Sequence, residues 1–402
     1  MRRYVIVGNG VAGTTAAESI RQVDKAGKID IFTDEPQPFY TRIRLPEYLA
    51  GEVDEEKLVV HKPGWYHEHS IELHLEEPVV LVDPEKREVQ TTKQAAYPYD
   101  RLLLATGSHP FVPPVKGAAK RGVFTLRSLK DAEKIREYAA STKKAVLIGG
   151  GVLGLEVGNG LRRLGIEVSV VEFFPRLLPR QMDVPGSELL KRQMETMGFR
   201  FYLGARSKEI VGKARVEGVV LEEGPTLPCD MLLFSAGIRP NLDLARSLDL
   251  EIERGAVVND HLETKRPGVY AAGDLVEHRG LFYGIWPASQ KQGEIAGINM
   301  AGGEASYQGT VMSNRLKVAG IDLISSGNID SDRNLKDLVR KDEGKFVYRR
   351  LVLEGGVIVG CILMGDISGH REILHAMENR RDVTAFKGDI LAEGFDFQKL
   401  ER

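Results

Sequence analysis

The chain has 402 residues, room for two to three domains and a sizeable core at about 150 residues per domain. Apolar residues make up 42% and charged residues 28%, which excludes a disordered or fibrous chain. The 55 basic and 57 acidic residues leave a net charge of −2, so no charge excess is available to hold nucleic acid or a membrane surface. Two cysteines, Cys229 and Cys361, cannot build a disulfide framework or a four-cysteine zinc or iron–sulfur site, and suit a reducing compartment.

In chain order, Tyr4-Val5-Ile6-Val7 reads as a first strand that leaves no apolar stretch for a signal peptide ahead of it. No apolar run approaches the length of a membrane span, and the expectation is a cytoplasmic chain. The strand runs into Gly8, Gly10 and Gly13, then a helical stretch from Thr14 to Val23, then a strand Ile29 to Phe32 before Asp34 and Glu35. Thr106-Gly107-Ser108-His109-Pro110 to Pro113-Pro114 reads as a hinge. The opening pattern then returns: the strand Lys144 to Ile148, Gly149, Gly151 and Gly154, a helix Leu155 to Leu164, and a strand Val168 to Val171 before Glu172. Ser235 to Asn241, with Gly237 inside it, closes this second βαβ start. After about residue 310 the pattern shifts to short strands, with Arg349 to Leu353 and Val357 to Met364 flanking Glu354-Gly355-Gly356 as a hairpin.

Three glycines spaced G-x-G-x-x-G after a strand let the backbone turn tightly and approach a pyrophosphate, while the following helix aims its first amides at the anion. An acid about 20 residues on receives ribose hydroxyls, and Gly13 to Glu35 spans 22 positions and Gly154 to Glu172 spans 18. Glycine turns also arise for packing alone; here strand, glycines, helix, strand and acid occur in order, twice. Glu172 should repel a 2′-phosphate and favour NADH over NADPH, unless Arg176 softens that preference; a solvated surface arginine is the plainer reading of Arg176. Side chains cannot store a hydride, so the first unit calls for a redox cofactor, and a flavin fits.

With these motifs in this order the chain resembles the two-dinucleotide-fold FAD/NAD(P)H flavoprotein reductases, the pyridine nucleotide–disulfide oxidoreductase superfamily. Leu103-Leu104-Ala105-Thr106-Gly107 resembles the segment that returns beneath the flavin, and Val269 to Asp274 the second FAD fingerprint, with Gly273 and Asp274 at its end. Val79 resembles a position whose backbone touches adenine, and Trp286-Pro287 with Gln290 to Met300 the helix opening near the isoalloxazine. The resemblance implies an α/β fold with two Rossmann-like dinucleotide-binding domains and a small α+β C-terminal domain. Residues 1–110 and 241–310 would bind FAD, 111–240 would bind NAD(P)H, with Gly237 among the cofactor contacts, and 311–402 would form the C-terminal domain.

Thiol-dependent members carry cysteine at the flavin face. Here Tyr40-Thr41-Arg42-Ile43-Arg44-Leu45-Pro46-Glu47 has Ile43 at that position, and Cys229 and Cys361 read as small buried thiols. This segment and Val359 to Asp366 are most similar to NADH:rubredoxin oxidoreductases and the FAD/NAD part of nitrite reductase large subunits. No sirohaem or iron–sulfur ligation follows, so nitrite reduction by this chain alone is not expected. Oxygenase-coupled ferredoxin reductases place a lysine near flavin N5 where this chain has Glu47, which points to the rubredoxin-linked group.

The resemblance implies hydride transfer from NADH to FAD and release of single electrons to a small carrier such as rubredoxin, without a protein nucleophile. Glu156 resembles a carboxylate facing the nicotinamide; an ordinary first-turn acid is its plainer reading. Arg42 would contact the FAD pyrophosphate, with Arg44 and Glu47 closer to the ring or the acceptor entrance. His61, His67, His69 and His74 fit no ligand frame and read as surface residues, so no metal is expected. Arg162-Arg163 and Lys191-Arg192 offer a docking surface for an acidic protein, or simply solvated helix faces. An NADH oxidase, a small-molecule reductase and a slow flavin/nicotinamide redox sensor stand as alternatives. A homodimer is allowed by the sequence.

Overall fold

The computed structural model describes residues 1–310, 312–318, 320–330 and 334–401, the strand Ser313–Val318 by its backbone. The chain divides into two compact units. Met1–Arg44, Val53–His109 and Ile238–Thr310 form one, and Leu45–Glu52, Pro110–Gly237 and Val311–Arg402 the other.

The first unit is built on a five-stranded parallel sheet in the spatial order Val269–Ala271, Arg101–Leu104, Arg3–Val7, Lys28–Phe32, Ile71–His74. The opening strand is central, its Val7 level with Leu104 on one side and Phe32 on the other. Tyr4, Val5 and Ile6 are fully buried, as expected of a parallel strand covered on both faces, which reads as a continuous apolar run rather than an alternating one. Helix Val11–Val23 lies against helix Trp286–Met300 so closely that a Cβ on Gly293 would sit 2.3 Å from Ala12 O and one on Gly297 2.4 Å from Ala16 O. The small antiparallel sheet Val79–Asp83, Glu88–Thr91, Ala96–Pro98 belongs to the same unit.

The second unit repeats the plan. Its five-stranded parallel sheet runs Arg200–Leu203, Glu167–Glu172, Lys144–Ile148, Met231–Phe234, Val123–Thr125. Helix Leu129–Ala139 starts with a capping box between Ser128 and Asp131, and Asp183 caps helix Val184–Thr196. The C-terminal segment adds a five-stranded antiparallel sheet ordered Ser313–Val318, Ile321–Gly327, Val357–Met364, Val347–Glu354, Lys336–Asp342. Ile373 and Ala376 of helix His370–Glu378 share a core with Ile324, Leu351, Ile358 and Leu363 of that sheet. This is the expected fold: an α/β chain with two parallel, Rossmann-like sheets and an α+β end.

The two fingerprint helices begin three residues earlier than their composition suggested, at Val11 and Val152. The second glycine of each motif is the helix N-cap and the third lies inside the first turn, so the motif overlaps the helix it introduces. The hairpin strands Val347–Glu354 and Val357–Met364 are where the glycine turn put them, the first longer than expected. Among the described residues no helix is long and apolar enough to cross a membrane.

Candidate functional site

Each glycine of the first motif does a different job. Gly8 has φ +121°, and a Cβ there would lie 2.1 Å from Ala105 O; a Cβ on Gly13 would lie 2.0 Å from Gly8 O. Gly10 caps helix Val11–Val23 with φ −93°, has no side-chain cap, and would present a Cβ to open space within 4 Å. The first and third glycines are therefore demanded by the protein's own backbone, while the second leaves free amide donors facing a gap.

Around this loop stand the other predicted residues of the first unit. Ala105-Thr106-Gly107 is held by Asn241: Thr106 Oγ1 donates to Asn241 O at 2.9 Å, Asn241 Nδ2 to Thr106 O at 2.8 Å, and Asn241 N to Gly107 O at 2.9 Å. Asp274 accepts from Ser108 Oγ at 2.9 Å and Ser289 Oγ at 3.3 Å, and Gly273 N donates to Gln292 Oε1 at 2.8 Å. Of the two acids after the second strand, Asp34 is exposed and Glu35 is half-buried in an ion pair with Arg42. Arg42 Nε is buried without a partner, while Glu35 and Tyr40 hold the guanidinium charged against the burial that opposes it. Val79 is buried at the start of its strand, and Trp286 opens its helix with its ring 5.7 Å from that of Phe39. Ile43 is 58% exposed.

The second motif reproduces the first. Gly149 has φ +117°, and its Cβ would lie 2.3 Å from Ser235 O; that of Gly154 would lie 2.3 Å from Gly149 O. Gly151 is again an N-cap without a side-chain cap, opening onto space within 4 Å. Glu172, 6% exposed, accepts from Gly150 N at 2.6 Å and Phe174 N at 2.8 Å, so its carboxylate braces the loop from the strand end. Arg176 is half-buried and donates to Met182 O at 3.2 Å and Pro179 O at 3.0 Å, so it is not the solvated arginine of the plainer reading. Gly237 is exposed with φ +99°.

Helix Leu45–Leu49 crosses helix Val152–Arg163 at Gly160, whose Cβ would meet Pro46 O at 3.2 Å and Ala50 Cβ at 3.5 Å. Arg163 pairs with Glu52 at one end of this crossing. One turn before Gly160 stands Glu156, whose carboxyl is pushed up to about 7 by burial first and by the negative charge of Glu47 second.

The remaining sequence candidates resolve differently. Cys229 and Cys361 are buried, and burial pushes both thiols up to about 12. The histidines have separate partners: His61 stacks on Trp65 at 3.8 Å, His69 Nδ1 donates to Trp65 O at 2.8 Å, and His74 pairs with Asp30 at 2.9 Å, while His67 is exposed, so three of the four are less solvated than expected. Among the described residues no group of three or more His, Cys, Asp or Glu is arranged to hold a metal. Of the basic pairs, Arg163 pairs with Glu52, Lys191 with Glu195 and Arg192 with Glu343, while Arg162 donates to Asn159 Oδ1 at 3.2 Å. Sequence reasoning missed Asn241, Gln292, Ser108 and Ser289. Asn241 sits after Pro240 at the end of a glycine-rich turn, and Gln292 is a polar residue on a small-residue helix face; both were visible signals.

Two glycine cradles on two parallel sheets define a protein of the two-dinucleotide-fold class. The model of the family described as pyridine nucleotide-disulphide oxidoreductase matches residues 2–305, and the chain belongs to that family, whose members use FAD and NAD(P)H. Residues 313–381 match the rubredoxin NAD+ reductase C-terminal domain. The chain is 38% identical to the nitrite reductase [NAD(P)H] of Bacillus subtilis (strain 168) over 95% of its own length and 48% of that protein's. It is 34% identical to a rubredoxin-NAD(+) reductase of Ectopseudomonas oleovorans over 70% of its length and 73% of that protein's. Its fold matches a ferredoxin reductase from Rhodopseudomonas palustris with a TM-score of 0.90, 26% identity and 99% of each chain covered. The chain spans about half the length of the first curated relatives it matches.

The residues present fit both groups the family uses. The partnerless Arg42 Nε and the open side of Gly10 suit an anionic cofactor in the first unit, and the open side of Gly151 suits another in the second.

Proposed function

We propose that the chain is an NADH-dependent FAD oxidoreductase that passes electrons singly to a small carrier protein of the rubredoxin type, in the cytoplasm and without a redox cysteine. The observation that carries this reading is the pair of cradles, each closed to side chains at its first and third glycines and open at its second. FAD, when bound, supplies the hydride acceptor and the two-to-one electron conversion that no side chain can provide.

The chain's own residues then have defined tasks. Gly8, Gly10, Gly13, Ala105, Thr106, Gly107, Gly273, Asp274 and Arg42 hold the flavin dinucleotide, with Glu35 orienting Arg42. Gly149, Gly151, Gly154 and Glu172 hold NADH. Glu156 orients the nicotinamide carboxamide and, with Glu47 beside it, carries a proton at neutral pH or below and a charge above. Ile43 and two thiols held protonated by burial leave no thiol relay. The match of the C-terminal segment to a rubredoxin reductase domain supports a protein carrier as acceptor.

The test is an anaerobic titration of the FAD-loaded protein with NADH and then NADPH, followed by rubredoxin. Bleaching by about one equivalent of NADH and rapid reoxidation by the carrier support the reading. A flavin that NADH does not reduce overturns it, and reoxidation by oxygen as fast as by the carrier replaces it with an oxidase.

A further inference from the structure

Tyr348 and Arg350 stand two apart on the strand Val347–Glu354 and both reach the start of helix Val184–Thr196. The Tyr348 hydroxyl donates to Asp183 Oδ2 at 2.6 Å, and Arg350 Nη1 lies 3.5 Å from the same oxygen. Asp183 is 1% exposed, and its other oxygen caps the helix by accepting Gly186 N at 3.1 Å. There is no slack in this contact, since a Cβ on Gly186 would come within 2.9 Å of the Tyr348 ring. Arg350 is fully buried and also donates to Asp337 at 2.8 Å, Ile329 O at 2.7 Å and Asp330 O at 3.2 Å. A buried guanidinium so completely paired fixes the geometry of everything it touches.

From Asp183 the contacts continue to the second glycine loop. Met182 N donates to Leu178 O at 2.8 Å, and Leu178 N donates to Gly150 O at 3.0 Å. Gly150 N in turn is the donor held by Glu172. Leu178 has φ +48°, a left-handed conformation that a bulky residue keeps only where its surroundings over-determine it. Leu177, Leu178 and Met182 are fully buried, a Cβ on Gly150 would meet Leu177 Cδ2 at 2.9 Å, and Arg176 ties Pro179 O to Met182 O. The segment is thus pinned at one end by the C-terminal sheet and at the other by the glycine loop, with its own backbone laced between.

We propose that Tyr348, Asp183 and Arg350 are positioning residues for the dinucleotide: through residues 176–183 the C-terminal sheet sets the shape of the Gly149–Gly154 loop and thereby its affinity for NADH. This rests on the proposed binding of NADH at that loop.

The test compares NADH affinity and steady-state kinetics of the FAD-loaded full chain with its Tyr348→Phe and Asp183→Asn variants. Tyr348→Phe removes one hydroxyl, and Asn keeps an oxygen for the cap. The expected result is a rise of about three- to tenfold in Kd and KM for NADH in both, with kcat at saturating NADH and flavin content unchanged. Arg192→Ala serves as the control, because it breaks an exposed 2.7 Å ion pair from the same helix to Glu343, in the hairpin turn that leads into the Tyr348 strand, without touching the segment, and should leave Kd as it was. Unchanged Kd in both variants, with or without a lower Tm, overturns the coupling, as does an equal rise in Arg192→Ala. Failure of the wild-type chain itself to bind NADH overturns instead the assignment of the loop.

Discussion

Glu47 sets its charge against Glu156 across the crossing of helices Leu45–Leu49 and Val152–Arg163, and the half-buried Glu156 titrates at about 7 as a result of burial and this neighbour. An exposed glutamate titrates near 4.5, so Glu156 is neutral over a range in which other glutamates are charged.

A pH profile follows from that pair. Binding or turnover of NADH should change through a step near pH 7, which Glu156→Gln removes and Glu47→Gln moves to lower pH by taking away the like charge. The stability consequence has a definite sign. The unfolded chain releases the Glu156 proton from about pH 4.5 upward and the folded chain only near 7, so ionisation costs stability progressively over that window and fully above it. Thermal melts of Glu156→Gln should match wild type at pH 4 and lie above it at pH 8.

Glycine substitutions should separate folding from binding. Gly151→Ala meets no protein atom and should cost under about 1 kcal/mol of stability while weakening NADH binding at least about tenfold. Gly149→Ala must place a Cβ 2.3 Å from Ser235 O at positive φ, and should cost about 3 kcal/mol or more. Chemical denaturation and NADH titration of the two variants check both statements. Gly10→Ala should correspondingly yield folded protein depleted of FAD.

Glu172 braces the glycine loop in addition to the ribose contact proposed for it, so its replacement should not simply exchange one nucleotide for another. Glu172→Gln retains one acceptor for two backbone donors and should lose about 1–3 kcal/mol of stability along with NADH affinity. NADPH turnover should not rise in this variant, since Arg176 is committed to the carbonyls of Pro179 and Met182. Parallel kinetics with the two nucleotides decide the matter.

Single Cys229→Ala and Cys361→Ala chains should turn over at the wild-type rate. With thiols at about 12, roughly one in 10⁴ is ionised at pH 8, too few for a relay. A loss of more than about tenfold in kcat, in a chain that still holds its flavin, would contradict the cysteine-independent mechanism.

Both glycine motifs, both parallel sheets and the C-terminal hairpin were legible because each depends on local chemistry: period, glycine spacing and an acid at a fixed distance. What could not be read is what long-range pairing decides. Asp183 caps its helix with one oxygen, and nothing near residue 183 in sequence reveals that the other meets Tyr348 and Arg350. Asn241 binds a loop 135 positions away. Arg349 and Arg350 lie on a strand that binary patterning would finish with apolar side chains, yet both are buried on carboxylate partners. The ion pairs of Arg163 with Glu52 and of Arg192 with Glu343 were hidden for the same reason, since those partners are distant in sequence.

The close packing of Gly293 and Gly297 on the carbonyls of Ala12 and Ala16 has a bearing on how the chain is made. At about 5–20 residues per second, a ribosome needs roughly 15–55 s after Ala12 emerges to deliver the helix that covers it. The parallel sheet of Pro110–Gly237 has all its strands within one continuous stretch and is complete well before then. During synthesis the parallel sheet written second is therefore complete before the first unit's helix pair can form, and flavin capture at the proposed first cradle should await the release of residues near 300.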